Sequence, residues 1–398
     1  MMDDRGLKDD GFLSKRWFFH ARHPDAAAGP HGGVVVARAS RGMRAGKTLG
    51  MDPERPITID GSHGEGGGQV LRTALSLSLL TGRPFRMVHV RANRDKPGLR
   101  PQHLAAIEAA ALLGGEAEGA AVGSRTVAFK PTTIEPRDLT IDIGTAGATS
   151  LVLHTLHLPL AMKADSPVRL TLLGGTFNAQ APSYPFMKET WCAHMSRLGL
   201  PVGLKMTSAG HYPRGGGRLE VWVEPGKPRS MTLVDRPPLT TISGTAGTTN
   251  LDRHRRVGER LRDRALAGLR KSGLKVAAEI ETADWPGHGQ GVALELTAHH
   301  GPLKATFVAL GERGKSAEAV ADEALHELLA YEREEGVIDP HSADQLLLPL
   351  ALADGRSVFT VTEVTEHLRT NATIIGMFLD KPIRVEEEDD DGARVIVG

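Results

Sequence analysis

The sequence has a single cysteine, few aromatic residues and no long hydrophobic run. Its 398 residues include only Cys192, and phenylalanine, tyrosine and tryptophan together make up 4% of the chain. One cysteine excludes a disulfide framework and any zinc site built on several thiolates. No apolar run reaches the roughly 18 residues that a transmembrane helix needs. We therefore expect a reduced, cytoplasmic protein with little material for stacking aromatic side chains on nucleic-acid bases.

The chain also lacks an excess of either charge. Lysine and arginine number 48, as do aspartate and glutamate, which gives a formal net charge of +0. This balance excludes a protein that coats nucleic acid with a globally basic surface, but it leaves a local basic groove open. The hydrophobic and charged fractions, 40% and 24%, are those of a globular protein. Because the length exceeds what one core usually supports, two domains are expected.

The first segment of the chain, residues 1–52, mixes charges with Gly, Pro and Ala and shows no sustained periodicity. Its AGKT tetrapeptide does not complete a phosphate-loop signature, because Gly42 lies one residue too close to the Gly-Lys pair. We predict a disordered or non-native extension here, with Met51 as an alternative start.

From Ile57 onward strands and helices alternate, and two strands with two helices recur about every 80 to 90 residues. This pattern predicts an α/β (α+β) fold with a large domain of three similar units, residues 53–234 and 336–398. Residues 235–335 have a very basic helix, two strands and an amphipathic helix, which predicts a small inserted α/β domain. Host and inserted domains form a cleft, and such clefts are favoured ligand sites.

The densest glycine cluster, GEGGGQVLR at residues 64–72, lies between a predicted strand and a helix predicted over Gln69–Leu80. Its glycines would let backbone amides face a phosphate, Glu65 would offer an oxygen ligand to a divalent metal, and Arg72 would aim a charge at an anion. A tight turn that needs positive φ explains the glycines equally well. The residues alone leave both interpretations open.

A basic loop at residues 90–103 includes Arg91 and Arg94 and leads to Gln102 and His103 at the start of the next predicted helix. Several arginines between a strand and a helix suit the recognition of phosphates, which guanidinium groups bind in a bidentate manner. A solvated basic loop is the simpler interpretation, and it is favoured by the residues alone.

Two further segments are rich in glycine or arginine, and a structural role is favoured for each of them. HYPRGGG, residues 211–217, leads into a strand, so a turn or bulge is favoured, although Arg214 could join a basic surface. The predicted helix Arg253–Arg270 is rich in arginine and could line a nucleic-acid groove. Its acidic residues lie at helical spacing from the arginines, so a salt-bridged exposed helix is favoured.

The 17 histidines include no H-E-x-x-H pattern and no metal-binding spacing with the cysteine. His367, in EHLRTN, follows a predicted strand and opens a new element, a position that by itself does not indicate catalysis. Asp344 and Gln345 lead an apolar helix and would line a cleft. His341, just before them, fits a surface or capping role.

These motifs, in this order, resemble those of the RNA 3′-terminal phosphate cyclase family. The pattern runs from DGSHGEGGGQVLRTALSLS through RANRDKPGLRPQHLAA, YPRGGG and ADQLLLPLALA to HLRTN, and it covers about residues 56–398. The resemblance implies a large domain of three repeated two-helix/four-strand units resembling the C-terminal domain of translation initiation factor 3. It also implies a small α/β domain inserted within that large domain.

The resemblance implies an ATP-dependent enzyme that converts an RNA 3′-phosphate to a 2′,3′-cyclic phosphodiester. A histidine would attack the α-phosphorus of ATP, releasing pyrophosphate and forming a covalent histidine–AMP. AMP would pass to the RNA 3′-phosphate to give RNA(3′)pp(5′)A, and the 2′-hydroxyl would then displace AMP. The implied partners are ATP, a divalent metal (Mg²⁺ or Mn²⁺) and RNA with a 3′-phosphate end, with no membrane and no obligate protein partner.

Carried over residue by residue, the resemblance makes His367 the nucleophile and Glu65 the metal ligand. The positions implied for binding ATP or phosphate are Arg72, Arg91, Arg94, Gln102, His103, His341, Asp344 and Gln345. His341 departs from the family pattern, which often has an aromatic residue there that is suited to stacking on adenine. Because imidazole offers less stacking area, we expect an effect on nucleotide affinity or base preference.

Two alternatives belong to other functional classes. One is a non-catalytic cyclase-like protein that binds RNA in ribosome assembly, and the other is an enolpyruvyl transferase, whose domains are built from similar repeats. Inactive relatives lack the nucleophile, so His367 together with the intact glycine motif favours an enzyme. An enolpyruvyl transferase needs no nucleotidyl histidine, so labelling by ATP separates it from a cyclase.

Overall fold

The computed structural model describes residues 55–64, 67–387 and 392–398. The extension predicted for residues 1–52 lies outside these residues. In the part of the chain that is described, no helix is both long enough and apolar enough to cross a lipid bilayer.

The described chain is a mixed α/β structure with four small sheets. The helices are α1 (Gly68–Thr81), α2 (Pro101–Gly114), α3 (Thr149–Lys163), α4 (Tyr184–Phe186), a π-helical turn (Met187–Trp191), α5 (Cys192–Arg197), α6 (Val257–Lys271), α7 (Ala317–Arg333), α8 (Pro340–Leu352) and α9 (Glu366–Phe378). The strands are β1 (Ile57–Asp60), β2 (Phe85–Val88), β3 (Gly115–Glu118), β4 (Val127–Pro131), β5 (Leu139–Asp142), β6 (Val168–Gly174), β7 (Val202–Ser208), β8 (Gly217–Val223), β9 (Thr232–Leu233), β10 (Thr241–Thr249), β11 (Ala277–Asp284), β12 (Gly291–His300), β13 (Leu303–Leu310), β14 (Ser357–Val361), β15 (Ile383–Glu387) and β16 (Ala393–Val397).

Three of the sheets share one strand order and one set of strand directions. They are β1-β2-β4-β3, β5-β6-β8-β7 and β9-β14-β16-β15. In each, the first two strands are parallel and the other neighbours are antiparallel. A parallel pair needs a crossover connection, and α1 and α3 supply it for the first two sheets. The likeness of these units to the C-terminal domain of translation initiation factor 3 stays a prediction.

The fourth sheet has a different order, β11-β10-β12-β13, and lies in the chain between β9 and α8. It packs against α6 and α7 around its own hydrophobic cluster, whose buried residues run from Ile242 to Tyr331. Strand β13 also contacts the part of the chain that contains the other three sheets, which we call the large body. Lys304 Nζ donates to Glu189 Oε2 at 2.8 Å, and Thr190 Oγ1 donates to Thr306 Oγ1 at 2.8 Å. Ala293, Leu303 and Val308 of this sheet belong to the large hydrophobic core instead. We call residues 235–335 the inserted unit, and its status as an inserted domain stays a prediction.

The basic helix begins later than the sequence predicts. Residues Arg253–Arg255 form a 3-10 turn, Arg256 takes a left-handed conformation (φ 49°, ψ 42°), and α6 starts at Val257. Asp252 explains the break, because its carboxylate accepts from His254 N at 3.0 Å and caps the short turn instead.

Two arginines of α6 pair with acids of α7. Arg260 makes two hydrogen bonds to Glu318 (2.8 and 2.7 Å), and Arg264 makes two to Asp322 (2.7 and 2.8 Å). The salt-bridged helix that the sequence favours is therefore present, with acidic partners both on the neighbouring helix and on its own, where Arg262 pairs with Asp263.

The large hydrophobic core joins the three similar sheets through their helices. Phe85 of β2 is fully buried at this junction. Its ring stacks on Phe129 of β4 at 6.1 Å and meets the ring edge of Phe378 in α9 at 6.3 Å. One aromatic side chain thus connects the first sheet to the helix that begins beside His367.

We expect Phe85→Ala to lower the free energy of unfolding by about 3–5 kcal/mol, because it removes a buried aromatic ring and leaves a cavity. Leu112→Ala is the control, since Leu112 is 51% exposed and should change stability by less than about 0.5 kcal/mol. Denaturant unfolding followed by circular dichroism measures both. Equal losses in the two variants would contradict this description of the core.

Candidate active site

A cleft of about 1860 Å³ opens between the large body and the inserted unit. Its walls include the start of α1, the basic loop before α2, the YPRGGG loop, the start of α9 and several loops of the inserted unit. Of the residues predicted to form the site, six line this cleft: Arg72, Arg91, Gln102, His103, Asp344 and His367.

The cleft is strongly basic although the chain has no net charge. Among the described residues that line it, eight are arginine or lysine and two are aspartate or glutamate. Walls of one charge sign around a concave site concentrate the electrostatic field and attract anions. The geometry therefore favours a ligand with several negative charges.

His367 lies in the first turn of α9, which Thr365 caps by accepting from Leu368 N at 3.2 Å. The cap holds the buried histidine at the cleft wall. Its Nδ1 is 2.6 Å from Oε1 of Gln69, at the start of α1. The amide nitrogen of Gln69 in turn donates to Oδ2 of Asp344, in α8.

This chain of contacts selects one tautomer of His367. An ionised carboxylate only accepts hydrogen bonds, so the NH₂ group of Gln69 must face Asp344 and its carbonyl oxygen must face His367. The proton of neutral imidazole then lies on Nδ1, and Nε2 carries the lone pair. A histidine held in this way can act as a nucleophile through Nε2.

Burial and neighbouring charges keep His367 neutral. Burial lowers its pKa to about 3, with help from the positive charges of Arg72 and Arg94 and from His341. Burial also raises the pKa of Asp344 to about 7, against the opposing effect of Arg72 and His341. The acceptor-only form of Asp344 therefore dominates above about pH 7, which is where the tautomer of His367 is fixed most firmly.

His103 has the opposite tautomer. Its Nδ1 accepts from the backbone N–H of Arg100 at 3.0 Å, so the ring proton lies on Nε2. Burial, followed by the charges of Arg72, Arg91 and Arg100, lowers its pKa to about 3. The cleft thus contains one neutral histidine that offers a lone pair and one that offers an N–H donor.

Gly68 is required by this arrangement. A Cβ atom there would lie 2.3 Å from Nε2 of His103 and 2.9 Å from Nη1 of Arg72. The preceding residue, Gly67, has no side chain to cap α1, so the amides of the first helical turn are left for another partner. The glycine motif therefore serves two purposes. Gly64 takes a left-handed conformation with φ 59°, as a tight turn requires, and Gly68 allows close packing at the helix start, where Gly67 has φ −85°.

The arginines crowd against one another. Burial lowers the pKa of Arg72 to about 10, partly offset by Asp344. Burial and the charges of Arg94 and Arg100 lower the pKa of Arg91. Arg94 is not among the cleft-lining residues, but its Nη2 lies 3.4 Å from where a Cβ atom on Gly67 would be. An anion bound among these guanidinium groups would stabilise their positive charges.

Two predicted residues lie beside the cleft rather than in its wall. Burial alone would lower the pKa of His341, but the nearby carboxylate of Glu327 on α7 raises it. Nε2 of His341 is 3.8 Å from Glu327 Oε2, and its ring meets the edge of Phe186 at 6.5 Å. Gln345 donates to the His341 carbonyl at 2.5 Å and lines a chamber of about 70 Å³ behind Asp344.

The proposed metal ligand, Glu65, lies outside the described residues. Within those residues, no group of three or more His, Cys, Asp or Glu side chains could hold a metal ion. The described part of the cleft therefore does not form a metal centre from protein ligands alone.

Three polar residues that the sequence did not single out support the site. Gln69 connects His367 to Asp344, Asn371 donates to the Asp344 carbonyl at 2.7 Å, and Thr73 donates to Asn371 Oδ1 at 2.7 Å. Gln69 and Asn371 belong to the GEGGGQ and HLRTN motifs, so their place in the motifs is the signal that could have identified them. Thr73 lies four residues after Gln69, on the same face of α1.

Together the fold and the cleft define a class: an α/β protein with a basic cleft that contains a buried, neutral histidine. Comparison with known proteins identifies the family within this class. The family model described as RNA 3′-terminal phosphate cyclase matches residues 63–385. The chain belongs to the RNA 3′-terminal phosphate cyclase family.

Several relatives share the name RNA 3′-terminal phosphate cyclase. The RNA 3′-terminal phosphate cyclase of Pyrobaculum neutrophilum is 42% identical over 344 residues, 86% of this chain and 97% of the relative. That of Methylococcus capsulatus is 41% identical over 333 residues, 81% and 91% of the two chains. That of Koribacter versatilis is 40% identical over 353 residues, 87% and 95% of the two chains.

The tautomer of His367 is directly observable. We expect ring ¹⁵N spectra to show a neutral imidazole with the proton on Nδ1 at about pH 8, and no protonation down to about pH 5, well below the usual histidine pKa. His341, whose pKa is raised, should be charged at a pH where His367 is still neutral. The spectrum of His367→Ala assigns the signal, and a proton on Nε2 would contradict the arrangement.

Proposed function

We propose that the chain is an ATP-dependent RNA 3′-terminal phosphate cyclase that works through a covalent His367–AMP. One observation supports this most: a neutral histidine, oriented by Gln69, lies in the wall of a cleft that several arginines also line. A neutral Nε2 nucleophile beside a binding site for several phosphates suits attack on a nucleotide.

In the first step, Nε2 of His367 attacks the α-phosphorus of ATP. A nitrogen–phosphorus bond forms, the bond to the bridging oxygen breaks, and pyrophosphate leaves with that electron pair. The ring becomes positively charged, and its Nδ1–H donates to Gln69 Oε1, whose amide is in turn anchored on Asp344. Removing that acceptor would leave the charged ring without its partner, which is costly in a buried site.

In the second step, an oxygen of the RNA 3′-phosphate attacks the phosphorus of the histidine–AMP. The nitrogen–phosphorus bond breaks, the electron pair returns to Nε2, and RNA(3′)pp(5′)A forms. In the third step, the 2′-hydroxyl oxygen attacks the 3′-phosphorus, AMP leaves, and the hydroxyl proton is lost to solvent. The ring nitrogen ends each cycle as it began, with a lone pair on Nε2.

Charged groups around His367 would serve the phosphates. Arg72 and Arg91 line the cleft, and the amides of the first turn of α1 are available there. His103 adds an N–H donor through Nε2. A divalent metal, Mg²⁺ or Mn²⁺, would neutralise charge on the triphosphate, with Glu65 as its protein ligand.

The surrounding features support the same proposal. Three sheets of one strand order form the frame that we propose to be the repeated units, and the inserted unit closes one side of the cleft. The single cysteine, Cys192, is half-buried and burial raises its thiol pKa to about 12, which suits a reduced cytoplasmic enzyme whose covalent chemistry uses histidine. His341 pairs with Glu327, so adenine stacking on His341 needs that ion pair to open.

We expect incubation with [α-³²P]ATP and a divalent metal to label the protein covalently, and His367→Ala to abolish the label. The reason is that the substitution removes the nitrogen that forms the bond to phosphorus. Acid-labile, alkali-stable label on a denaturing gel measures the phosphoramidate. The matched control is His326→Ala, because His326 is exposed on α7.

Three results would decide between the alternatives. A His367→Ala variant that still forms covalent AMP would show that the nucleophile is another residue. A parent protein that binds RNA but never labels would favour the non-catalytic relative or a transferase. A protein that labels but does not cyclise a 3′-phosphorylated RNA would have a different acceptor for AMP.

A further inference from the structure

The cleft is larger than one nucleotide requires. Sites for small molecules and cofactors usually enclose about 300–1,000 Å³, whereas this cleft encloses about 1860 Å³. The residues around His367 occupy only part of its lining. The remainder includes a wall formed by the YPRGGG loop and the inserted unit, which we call the Tyr212 wall and define by Tyr212, Arg214, Arg255, His288 and Arg313.

Tyr212 is unusual in a chain with so few aromatic residues. It is 82% exposed, and it is the one aromatic among the exposed large hydrophobic side chains of the described residues. An aromatic ring left in solvent at the mouth of a basic cleft gains nothing for folding from burial. A planar ring in this position is suited to stacking on a nucleic-acid base.

The loop that carries Tyr212 rests on a rigid base at the domain junction. His211 is buried and stacks on Phe177 at 4.7 Å, with the two rings 4° from parallel, and Phe177 stacks on Trp285 of the inserted unit at 4.8 Å. Ala209 N donates to Pro286 O at 2.6 Å. The backbone next to Tyr212 is therefore held in place before any ligand arrives, which lowers the entropy cost of ordering this loop on binding.

Cations from both sides of the junction line the same cleft as Tyr212. Arg214 donates to the His288 carbonyl at 3.3 Å, which ties the loop to the inserted unit. Arg255 and Arg313 are exposed in the same cleft. They differ from Arg260, which is already engaged with Glu318.

We propose that the Tyr212 wall binds the single-stranded RNA that precedes the reacting 3′-end. A base stacks on Tyr212, and the phosphates on either side contact Arg214, Arg255 and Arg313. This inference rests on the proposed function, and it specifies the substrate as an unpaired tail rather than a terminal nucleotide alone. A duplex end would keep its bases stacked on each other and would leave no base face for Tyr212.

Binding of a fluorescent single-stranded RNA with a 3′-phosphate, followed by anisotropy without ATP, tests the wall. Tyr212→Ala should weaken binding by about fivefold to a hundredfold, the range expected for the loss of one base–aromatic stack. Tyr212→Phe keeps the ring and should bind like the parent. Arg255→Ala and Arg313→Ala should each lower the slope of log affinity against log salt by about 0.7.

Arg253→Ala is the matched control for the arginine variants. Arg253 is 90% exposed, pairs with Asp284 and does not line the cleft, so its loss should leave RNA binding unchanged. Self-labelling by ATP should stay at the parental level in every variant, because the wall does not touch the ATP end in this proposal.

Each outcome bears on one of the two proposals. If Tyr212→Ala binds RNA as tightly as the parent protein, the proposal for the Tyr212 wall is wrong. Equal losses of RNA affinity in Arg253→Ala and Arg255→Ala would contradict it as well. Loss of ATP labelling in Tyr212→Ala would also overturn it, since the residue would then serve the nucleotide or the fold. A parent that fails to label with ATP would refute the cyclase reaction, while the anisotropy titration would still decide whether the wall binds RNA.

Discussion

The carboxamide of Gln69 bridges two buried side chains, donating through Nε2 to Asp344 and meeting Nδ1 of His367 with Oε1. Neither contact survives if the amide turns over, because an amide nitrogen would then face the imidazole N–H and a carbonyl would face the carboxylate. Leaving such buried polar groups unsatisfied costs roughly 1–3 kcal/mol each. The bridge also connects α1, α8 and α9. The packing of these three helices therefore determines which ring nitrogen of His367 carries the proton.

Basic residues outnumber acidic residues in the cleft, although the chain as a whole has no net charge. The chain has a net charge of +0, yet its main cleft has eight basic and two acidic side chains among the described residues. Acids of α7 engage arginines of α6: Asp322 pairs with Arg264 outside the cleft, and Glu318 pairs with Arg260 in the cleft wall. A protein that handles one phosphorylated end needs a basic site, and it does not need a basic surface.

Much of the local structure was predictable, because apolar periodicity and glycine punctuation determine it. The helix predicted over Gln69–Leu80 is observed as Gly68–Thr81, and the basic helix differs because the Asp252 cap and the left-handed Arg256 interrupt its first turn. Membership of the cyclase family, predicted from five ordered motifs, is confirmed by the family match and by relatives about 40% identical. The roles of individual site residues stay predictions.

What the sequence could not reveal are contacts between distant segments. Gln69 and Asp344 are 275 residues apart, and no spacing rule connects them. The partner of His341 is Glu327 in the inserted unit. Comparing His341 with the aromatic residue that the family often has at this position cannot identify that partner. Identifying a residue type in a motif is possible from sequence, but the orientation of its hydrogen bonds depends on tertiary packing.

The most direct measurement is which ring nitrogen is bonded to AMP in the covalent intermediate that we propose. Protein with ¹⁵N in its histidine rings can be adenylylated and examined for coupling between phosphorus and nitrogen. The hydrogen bond from Nδ1 to Gln69 predicts that phosphorus is bonded to Nε2 of His367 while Nδ1 keeps its proton. A bond to Nδ1, or to any other residue, would contradict the role assigned to Gln69 and Asp344.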